Sequence, residues 1–253
     1  MMNATRCALV TGGGKGLGAA IARRLSAAGA RVSVLGRDRV ALEHVAEQNG
    51  GLAVVCDVTD GAALERAVAQ VREAHGAIGI CVHNAGIAES APLAATDDAV
   101  WERIMAVNAT AAFRLAKLVV PDMVKMGWGR IVHVASNAGL TGYAYTSAYC
   151  ASKHALVGLT RALAAELGRT GVTVNAVCPG FCDTEMTDRA ARVIAQKTLR
   201  SDTDSKKALS DMNPQRRLIS PDEVAHAVAM LTTELAAGIN GQAIPIDGGQ
   251  VMR

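Results

Sequence analysis

The chain has 253 residues, 50% of them hydrophobic and 19% charged, and a formal net charge of +3. Those totals suit a single α/β domain with a sizeable buried core and exclude wholesale disorder. The charge is too mild, and too free of basic runs, for a nucleic-acid-binding protein. Aromatic residues make up only 3%, so the core must be built from Val, Ile, Leu, Ala and Met.

The N-terminal run "MMNATRCALVTGGG" enters a strand-like segment at once. It has no charged leader before an apolar core, and no run of about 18 apolar residues is expected to cross a membrane. The expectation is a soluble, cytoplasmic protein. Strands are expected at "CALVTG" (7–12), "RVSVLG" (31–36), "LAVVCD" (52–57), "IGICVHNAG" (78–86), "RIVHVAS" (130–136) and "VTVNAVCPG" (172–180). They are rich in β-branched residues and apolar on both faces, the pattern of a parallel sheet covered by helices. Between the first two, "LGAAIARRLSAAGA" spaces Leu17, Ile21 and Leu25 four apart and stops at Gly29, a C-cap. Asp60 is the expected N-cap of a helix that stops near Gly76. Two longer apolar helices are expected at about 97–124 and 148–168, and "GQAIPIDGGQVMR" (241–253) ends the chain in a strand-like run. Strand–helix alternation of this kind predicts right-handed crossovers and a doubly wound parallel sheet of about seven strands, helices on both faces, in one domain over 1–253.

Residues 183–217 break that rhythm. The segment is polar and helix-permissive, with eight Lys or Arg against six Asp or Glu. A long polar insertion after a strand end is expected to be a lid over a substrate site, with a solvated pair of surface helices as the plain alternative. The six cysteines (Cys7, Cys56, Cys81, Cys150, Cys178, Cys182) sit mostly in apolar runs, with no CxxC pair and no histidines at zinc-ligand spacing. They read as buried free thiols in a reducing compartment, without a metal site.

"TGGGKGLG" (11–18) follows the first strand and opens the first helix. Glycines there permit a tight turn and a close approach of the backbone, and the helix N-terminus offers N–H groups to a phosphate. The spacing, G-x3-G-x-G over Gly12, Gly16 and Gly18, is not the G-x-G-x-x-G fingerprint, but strand, loop and helix arrive in the required order. An acidic residue normally meets the adenine ribose about 20 positions further on. Arg37 holds that place, 21 residues past Gly16, with Lys15 as a second cation in the loop. Arginine's planar, charged fork fits a 2′-phosphate, so NADP(H) is the preferred cofactor; Asp38, one residue later, leaves NAD(H) open.

Taken together, "TGGGKGLG" (11–18), "CDVTD" (56–60), "HNAG" (83–86), Asn108 in "AVNAT", Ser136 in "HVAS", "YCASK" (149–153), "VNAVCPG" (174–180) and "GQAIPIDGG" (241–249) resemble the short-chain dehydrogenase/reductase family over essentially the full length. In pattern the chain is similar to 3-oxoacyl thioester reductases, polyketide ketoreductases and 3-hydroxyacyl dehydrogenases. The resemblance implies a Rossmann-type fold and a pairing of subunits into a homotetramer or homodimer. It implies cofactor contacts at Gly12, Gly14, Lys15, Gly16, Leu17, Gly18, Arg37, Asp57, Val58, Asn84, Ala85, Gly86, Tyr149, Lys153, Pro179, Gly180 and Thr184. The chain departs from the family at His83, where Asn is usual before Asn84, and at His133; both histidines are read as structural strand residues.

All three tyrosines lie between Tyr143 and Tyr149. In a helix over 148–168, Tyr149 and Lys153 at i,i+4 share a face. A phenol near pKa 10 exchanges protons poorly at neutral pH, so the neighbouring ammonium is expected to acidify it. Tyr149 is then the general acid/base and Ser136 a hydrogen-bond donor to the substrate oxygen. The resemblance adds Lys153 as a holder of the nicotinamide ribose and Asn108 as the anchor of a water-borne proton path, completing the catalytic set. Tyr143 and Tyr145 are expected, with Ser136 and Tyr149, to line the substrate mouth. The reaction read from this set interconverts a ketone and a secondary alcohol. The favoured substrate is a 3-oxoacyl or 3-hydroxyacyl thioester carried on coenzyme A or a carrier protein. The alternatives are a non-thioester alcohol (cyclic, sugar or steroid) and a cofactor-binding sensor without catalysis.

Overall fold

A computed structural model describes residues 6–198 and 200–252 of the protein. The expectation about an N-terminal leader falls largely on residues 1–5, outside the described residues. Seven strands form one parallel sheet: β1 (Cys7–Thr11), β2 (Arg31–Gly36), β3 (Leu52–Val55), β4 (Ile78–His83), β5 (Gly129–Val134), β6 (Val172–Pro179) and β7 (Ala243–Ile246). Their spatial order is β3-β2-β1-β4-β5-β6-β7. The helices are α1 (Gly16–Ala27), α2 (Arg39–Asn49), α3 (Gly61–His75), α4 (Asp98–Met105), α5 (Ala111–Met126), α6 (Ser147–Leu167), α7 (Glu185–Thr198), α8 (Asp202–Asp211) and α9 (Pro221–Leu231).

The apolar-both-faces pattern of the strands has its cause here. Every residue of β1, β4, β5 and β6 is buried, because helices cover both sides. One face packs Ile21 and Leu25 of α1, Val45 of α2 and Val224 and Val228 of α9 on Val10, Val34 and Val132. The other packs Leu64 and Val68 of α3, Leu115 and Val119 of α5 and Leu167 of α6 on Leu9, Cys81 and Ile131. The exposed edge strand β7 contains Pro245, which a strand tolerates at an edge, where no ladder donor is needed. Asp60 caps α3 by accepting from the Ala63 N–H, and Gly76 ends it at φ +80. All six cysteines are free thiols.

Several boundaries differ from the sequence expectation for physical reasons. β4 stops at His83 rather than Gly86, because Asn84 leaves the sheet to bond the glycine loop. α1 ends at Ala27 and Gly29 follows at φ +96, one turn position beyond the cap itself. The helix expected at 97–124 is α4 and α5 joined by a π turn at Ala106–Thr110, and the buried Asn108 lies inside that turn. The stretch Asp98–Met126 is long and apolar enough to cross a membrane by composition. Its face bearing Ala111, Leu115, Val119 and Met123 instead packs on the sheet. Within 183–217 lie α7 and α8, tied at the base by a parallel bridge from Cys182 to Ile219. Lys206 of α8 reaches back to Asp183 (2.9 Å) and Asp188 (2.8 Å).

The strand order reverses direction between β1 and β4. In open α/β sheets the crevice for a ligand lies beyond the carboxyl ends of the strands at such a switch point. Thr11–Gly18 after β1 and His83–Gly86 after β4 flank it here, with Ser136 and Pro179–Gly180 at the ends of β5 and β6.

Behind that crevice sit two paired strand residues, His83 and His133, each about 1% exposed, their rings edge-to-face at 6.4 Å. Burial drives His83 down to about 3 and His133 to about 4, from an ordinary 6.5. The unfolded chain therefore takes up protons that the folded one refuses, and stability falls as pH drops below 6.5. We expect the melting temperature to decline already between pH 6.5 and about 4.5, above the range where carboxylates titrate. A His83→Asn, His133→Asn double variant should lose most of that slope in the same thermal melts; an unchanged slope would contradict neutral burial of the pair.

Candidate active site

The glycine loop is built for close packing. A Cβ on Gly18 would overlap the Gly12 carbonyl oxygen, and Gly12 itself stands at φ +63. Asn84 Nδ2 donates to the carbonyls of Thr11 (3.0 Å) and Gly12 (3.1 Å), sewing the end of β4 to this turn. Gly14 packs on Ala41 and Leu42 of α2, where a Cβ would come within 3.2 Å of the Ala41 side chain. Leu17 lies partly buried against the core. Lys15 is the N-cap of α1 and makes no side-chain capping bond, which leaves first-turn N–H groups and the positive helix end to an anion. Gly16 (φ +52) lies beside Thr184, bringing the start of α7 to the lip of this crevice. A cradle of this kind, with backbone donors and no first-turn acid, fits the pyrophosphate of a dinucleotide.

Arg37 and Lys15 do not act alike. Lys15 Nζ is 2.8 Å from Asp38 Oδ2, while Asp38 also caps α2 through the Ala41 N–H. Lys15 raises no free positive charge there, and Asp38 is held below the usual carboxylate range first by its hydrogen bond from Lys15. Arg37 is exposed and forms no ion pair among the described residues. Beyond β3, Asp57 accepts from the Thr59 N–H (2.9 Å) and hydroxyl (2.8 Å), which lower its pKa, with a smaller contribution from Arg37. The Val58 side chain is in the core, so any contact it makes to a ligand is through its backbone.

On the other side of the crevice, α6 presents Tyr149 and Lys153 one turn apart. Gly139 makes this approach possible: a Cβ there would lie 2.7 Å from the Lys153 carbonyl, so the turn after β5 rests directly on α6. Ser136 heads that turn, accepting from the Ala138 N–H (3.1 Å). Its own proton has long contacts to Asn137 Oδ1 (3.4 Å) and the Pro179 carbonyl (3.5 Å), and is free to be redirected. Gly180 is held against Asp247, where a Cβ would come within 2.9 Å. Gln250 accepts from Asn137 Nδ2 at 3.1 Å, so the C-terminal segment backs the serine turn.

Lys153 is 4% exposed and donates to the Val134 carbonyl at 3.0 Å. Burial lowers its pKa to about 8. Its ammonium lies 5.7 Å from the centre of the Tyr149 ring. The expected acidification of Tyr149 by Lys153 needs correction. Burial raises the half-buried phenol to about 12, opposed by the Ser136 hydroxyl, and Lys153 is not among the main influences. The amine donates to a carbonyl and lies over the ring face. The protein alone thus keeps Tyr149 protonated, as a donor.

Asn108 braces the site through its side chain. Oδ1 accepts from the Ile87 N–H (2.9 Å), and Nδ2 donates to the Ile87 carbonyl (2.9 Å) and Ser152 Oγ (3.0 Å). Gly86 fits between Asn108 and Lys153; a Cβ there would be 3.4 Å from one and 3.5 Å from the other. The Ala85 N–H donates to Thr11 Oγ1 at 3.0 Å. Asn108, Ser136, Tyr149 and Lys153 therefore converge at the carboxyl end of the sheet. The other two tyrosines differ. Tyr143 has its hydroxyl buried without a partner among the described residues, and burial raises it to about 12. Tyr145 is 67% exposed, in a left-handed conformation (φ +66), its carbonyl accepting from the Ala91 N–H. It borders a cleft of about 150 Å³ with Glu89, Thr96 and Ala148. Sequence reasoning did not single out Thr11, Gly139, Ser152 or Gln250; only Gly139, in the turn sequence "SNAG", leaves a visible signal.

The family model for short chain dehydrogenase matches residues 6–193. The chain is 37% identical over 248 residues to the 3-oxoacyl-[acyl-carrier-protein] reductase MabA of Mycobacterium tuberculosis, covering 98% of this chain and 94% of that protein. Among solved structures it superimposes on a variant of actinorhodin polyketide ketoreductase crystallised with NADPH, at a TM-score of 0.94 and 36% identity, with 97% of each chain covered. Levodione reductase follows at a TM-score of 0.91 and 34% identity, with the same coverage. The protein belongs to the short-chain dehydrogenase/reductase family and is an NAD(P)-dependent oxidoreductase of the kind that acts on CH–OH groups.

Proposed function

We propose that the protein is an NADP(H)-preferring ketoreductase that interconverts 3-oxoacyl and 3-hydroxyacyl thioesters. The observation that carries the reaction is the convergence of Ser136, Tyr149 and Lys153 with the glycine-loop crevice at the switch point. When bound, the cofactor supplies the hydride that the carbonyl carbon takes up. Tyr149 gives its proton to the carbonyl oxygen, and Ser136 donates a hydrogen bond to the same oxygen as charge builds there. Lys153, in a dry site, contributes a positive field and holds the sugar side of the cofactor, while Asn108 fixes the wall around it. In the oxidative direction the phenolate is needed, and the positive charge of the oxidised nicotinamide favours it against burial. The α7–α8 segment serves as the lid, anchored by Lys206.

The thioester assignment is supported by the likeness to MabA and to the actinorhodin enzyme. Purified protein should reduce acetoacetyl-CoA with NADPH. Inactivity on every 3-oxoacyl thioester tried, alongside turnover of a cyclic ketone, would favour the second reading, a reductase of cyclic ketones, which the levodione reductase likeness supports. We also propose assembly into a homotetramer, through surfaces that include the exposed Trp101 and Phe113 of α4 and α5.

Cofactor preference rests on Arg37, the cation that Asp38 does not neutralise. A hydrogen-bonded charge pair of this kind is worth about 1.5–3 kcal/mol. Arg37→Ala should therefore lower the NADPH/NADH ratio of kcat/KM by roughly 10- to 100-fold, mostly through KM for NADPH. A ratio unchanged by that substitution in steady-state assays would remove the 2′-phosphate reading.

A further inference from the structure

We propose that Gln250 is a positioning residue for the carbonyl chemistry: by holding the Asn137 side chain, it keeps the proton of Ser136 free for the substrate oxygen. This rests on the reading of Ser136 and Tyr149 given above. Ser136 Oγ accepts from the Ala138 N–H at 3.1 Å. Its own proton needs an acceptor, and the amide oxygen of Asn137 (3.4 Å) and the carbonyl of Pro179 (3.5 Å) face it. With its oxygen toward the serine, Asn137 has its amide nitrogen on the other side, where Nδ2 donates to Gln250 Oε1 at 3.1 Å. Asn137 is 4% exposed, so bulk water is a poor substitute for that glutamine.

The turn that carries Gln250 is itself fixed. Gly248 (φ +66) and Gly249 (φ +86) reverse the chain after β7. The buried carboxylate of Asp247 closes the turn by accepting from the N–H groups of Gly249 (3.1 Å) and Val251 (2.9 Å). The Val251 side chain packs on the cluster that contains Ala135, Leu140 and Cys178. The Ile246 carbonyl accepts from the Gly180 N–H at 3.1 Å, which joins the turn to the loop whose Pro179 carbonyl faces Ser136. Gln250 thus reaches Asn137 from a braced turn.

What the brace governs is a competition for one proton. At 3.4 and 3.5 Å both acceptors lie beyond a full O–H···O bond, whose usual length is about 2.7–2.8 Å. A substrate oxygen at that usual length prevails over them. The bond from Nδ2 to Gln250 holds the Asn137 amide back. Once released, the Asn137 side chain can turn about its Cα–Cβ bond and close on Ser136. A full hydrogen bond to Oδ1 then has to break before the serine can serve the substrate. The effect falls on the step in which charge grows on the substrate oxygen, and leaves the binding of the cofactor largely alone.

The test is Gln250→Met, which keeps the length of the side chain without the acceptor. A crystal structure of this variant should show Asn137 Oδ1 within about 2.9 Å of Ser136 Oγ. Its kcat for ketone reduction, measured on whichever of acetoacetyl-CoA and a cyclic diketone is turned over, should fall roughly 3- to 10-fold, the worth of one neutral hydrogen bond. The KM for NADPH should stay within about threefold. Should the methionine protein not fold, Gln250→Ala carries the same expectation. Adding Asn137→Ala removes the competing oxygen and should return most of the lost rate. In a Ser136→Ala background, Gln250→Met should change the residual rate by less than about twofold, because the hydroxyl it acts through is gone. The proposal is overturned by an unchanged kcat, by a loss that persists in full in the Ser136→Ala background or that Asn137→Ala does not relieve, or by a separation that stays at 3.4 Å in the crystal. Tyr149→Phe and Ser136→Ala, assayed alongside, separate the two levels. Full activity in either removes the underlying reading; if both are impaired while Gln250→Met matches the parent, only this proposal fails.

Discussion

Tyr149→Phe should reduce ketone turnover by about 10²–10⁴-fold, the range that a positioned proton donor contributes. The substitution removes one oxygen and leaves the ring where it packs above Lys153. Ser136 still polarises the substrate, so a residual rate should survive. NADPH binding, read by nicotinamide fluorescence, should stay within about threefold of the parent, because the lost interaction belongs to the transition state rather than the ground state. A variant with full turnover would remove the proton-donor assignment. A variant that loses cofactor binding and turnover together would point to a damaged site instead. The sensor alternative, a protein that binds dinucleotide without chemistry, predicts no turnover in the parent protein either.

Lys153→Met should give the second large effect, in two directions at once. Turnover should fall roughly 10²-fold, by analogy with the loss of one preorganised electrostatic group. Stability should rise by about 1–2 kcal/mol, the gain commonly seen when a strained functional group is replaced. The reason is that Lys153 is 4% exposed and donates to one carbonyl, far fewer partners than an ammonium can use. The pH dependence follows with its sign. The folded pKa, about 8, lies below the ordinary 10.5. Burial therefore costs stability in full below pH 8, and this cost is relieved as pH rises through the interval between the two values. Reduction should be flat below pH 8 and decline above it as the ammonium is lost, and the methionine variant should lack that limb. Thermal melts and rate profiles on the same preparations decide it: a less stable variant, or one that keeps the limb, contradicts the account of a costly buried cation.

Much of this architecture was legible in the chain. β-Branched runs apolar on both faces can only be strands covered twice, and all six that were expected form, joined by β7 at the edge. Asp60 and Gly76 mark the ends of α3 because capping is a local matter of one side chain and one backbone conformation. The pairing of Tyr149 with Lys153 follows from helical spacing alone. The rest depended on where side chains point in three dimensions. "AVNAT" reads as ordinary helix, and nothing in its residue types marks the π turn that brings Asn108 to Ile87 and Ser152. Lys15 looked like a second free cation, but Asp38 from the next loop neutralises it. The acidity of Tyr149 was misjudged because spacing fixes which residues are neighbours, while burial fixes the sign of the effect.

The most direct test of the account is an ultraviolet titration of the Tyr149 phenol with and without NADP(+). The chain has only three tyrosines, so subtracting the Tyr149→Phe titration isolates its signal. Without the oxidised dinucleotide the phenol should ionise near its buried value of about 12; with it bound, ionisation should move down by two or more units, by order of magnitude the effect of an opposite charge close by. A Tyr149 titration that is the same in both conditions would contradict the claim that this phenol faces the nicotinamide and exchanges the proton of the reaction.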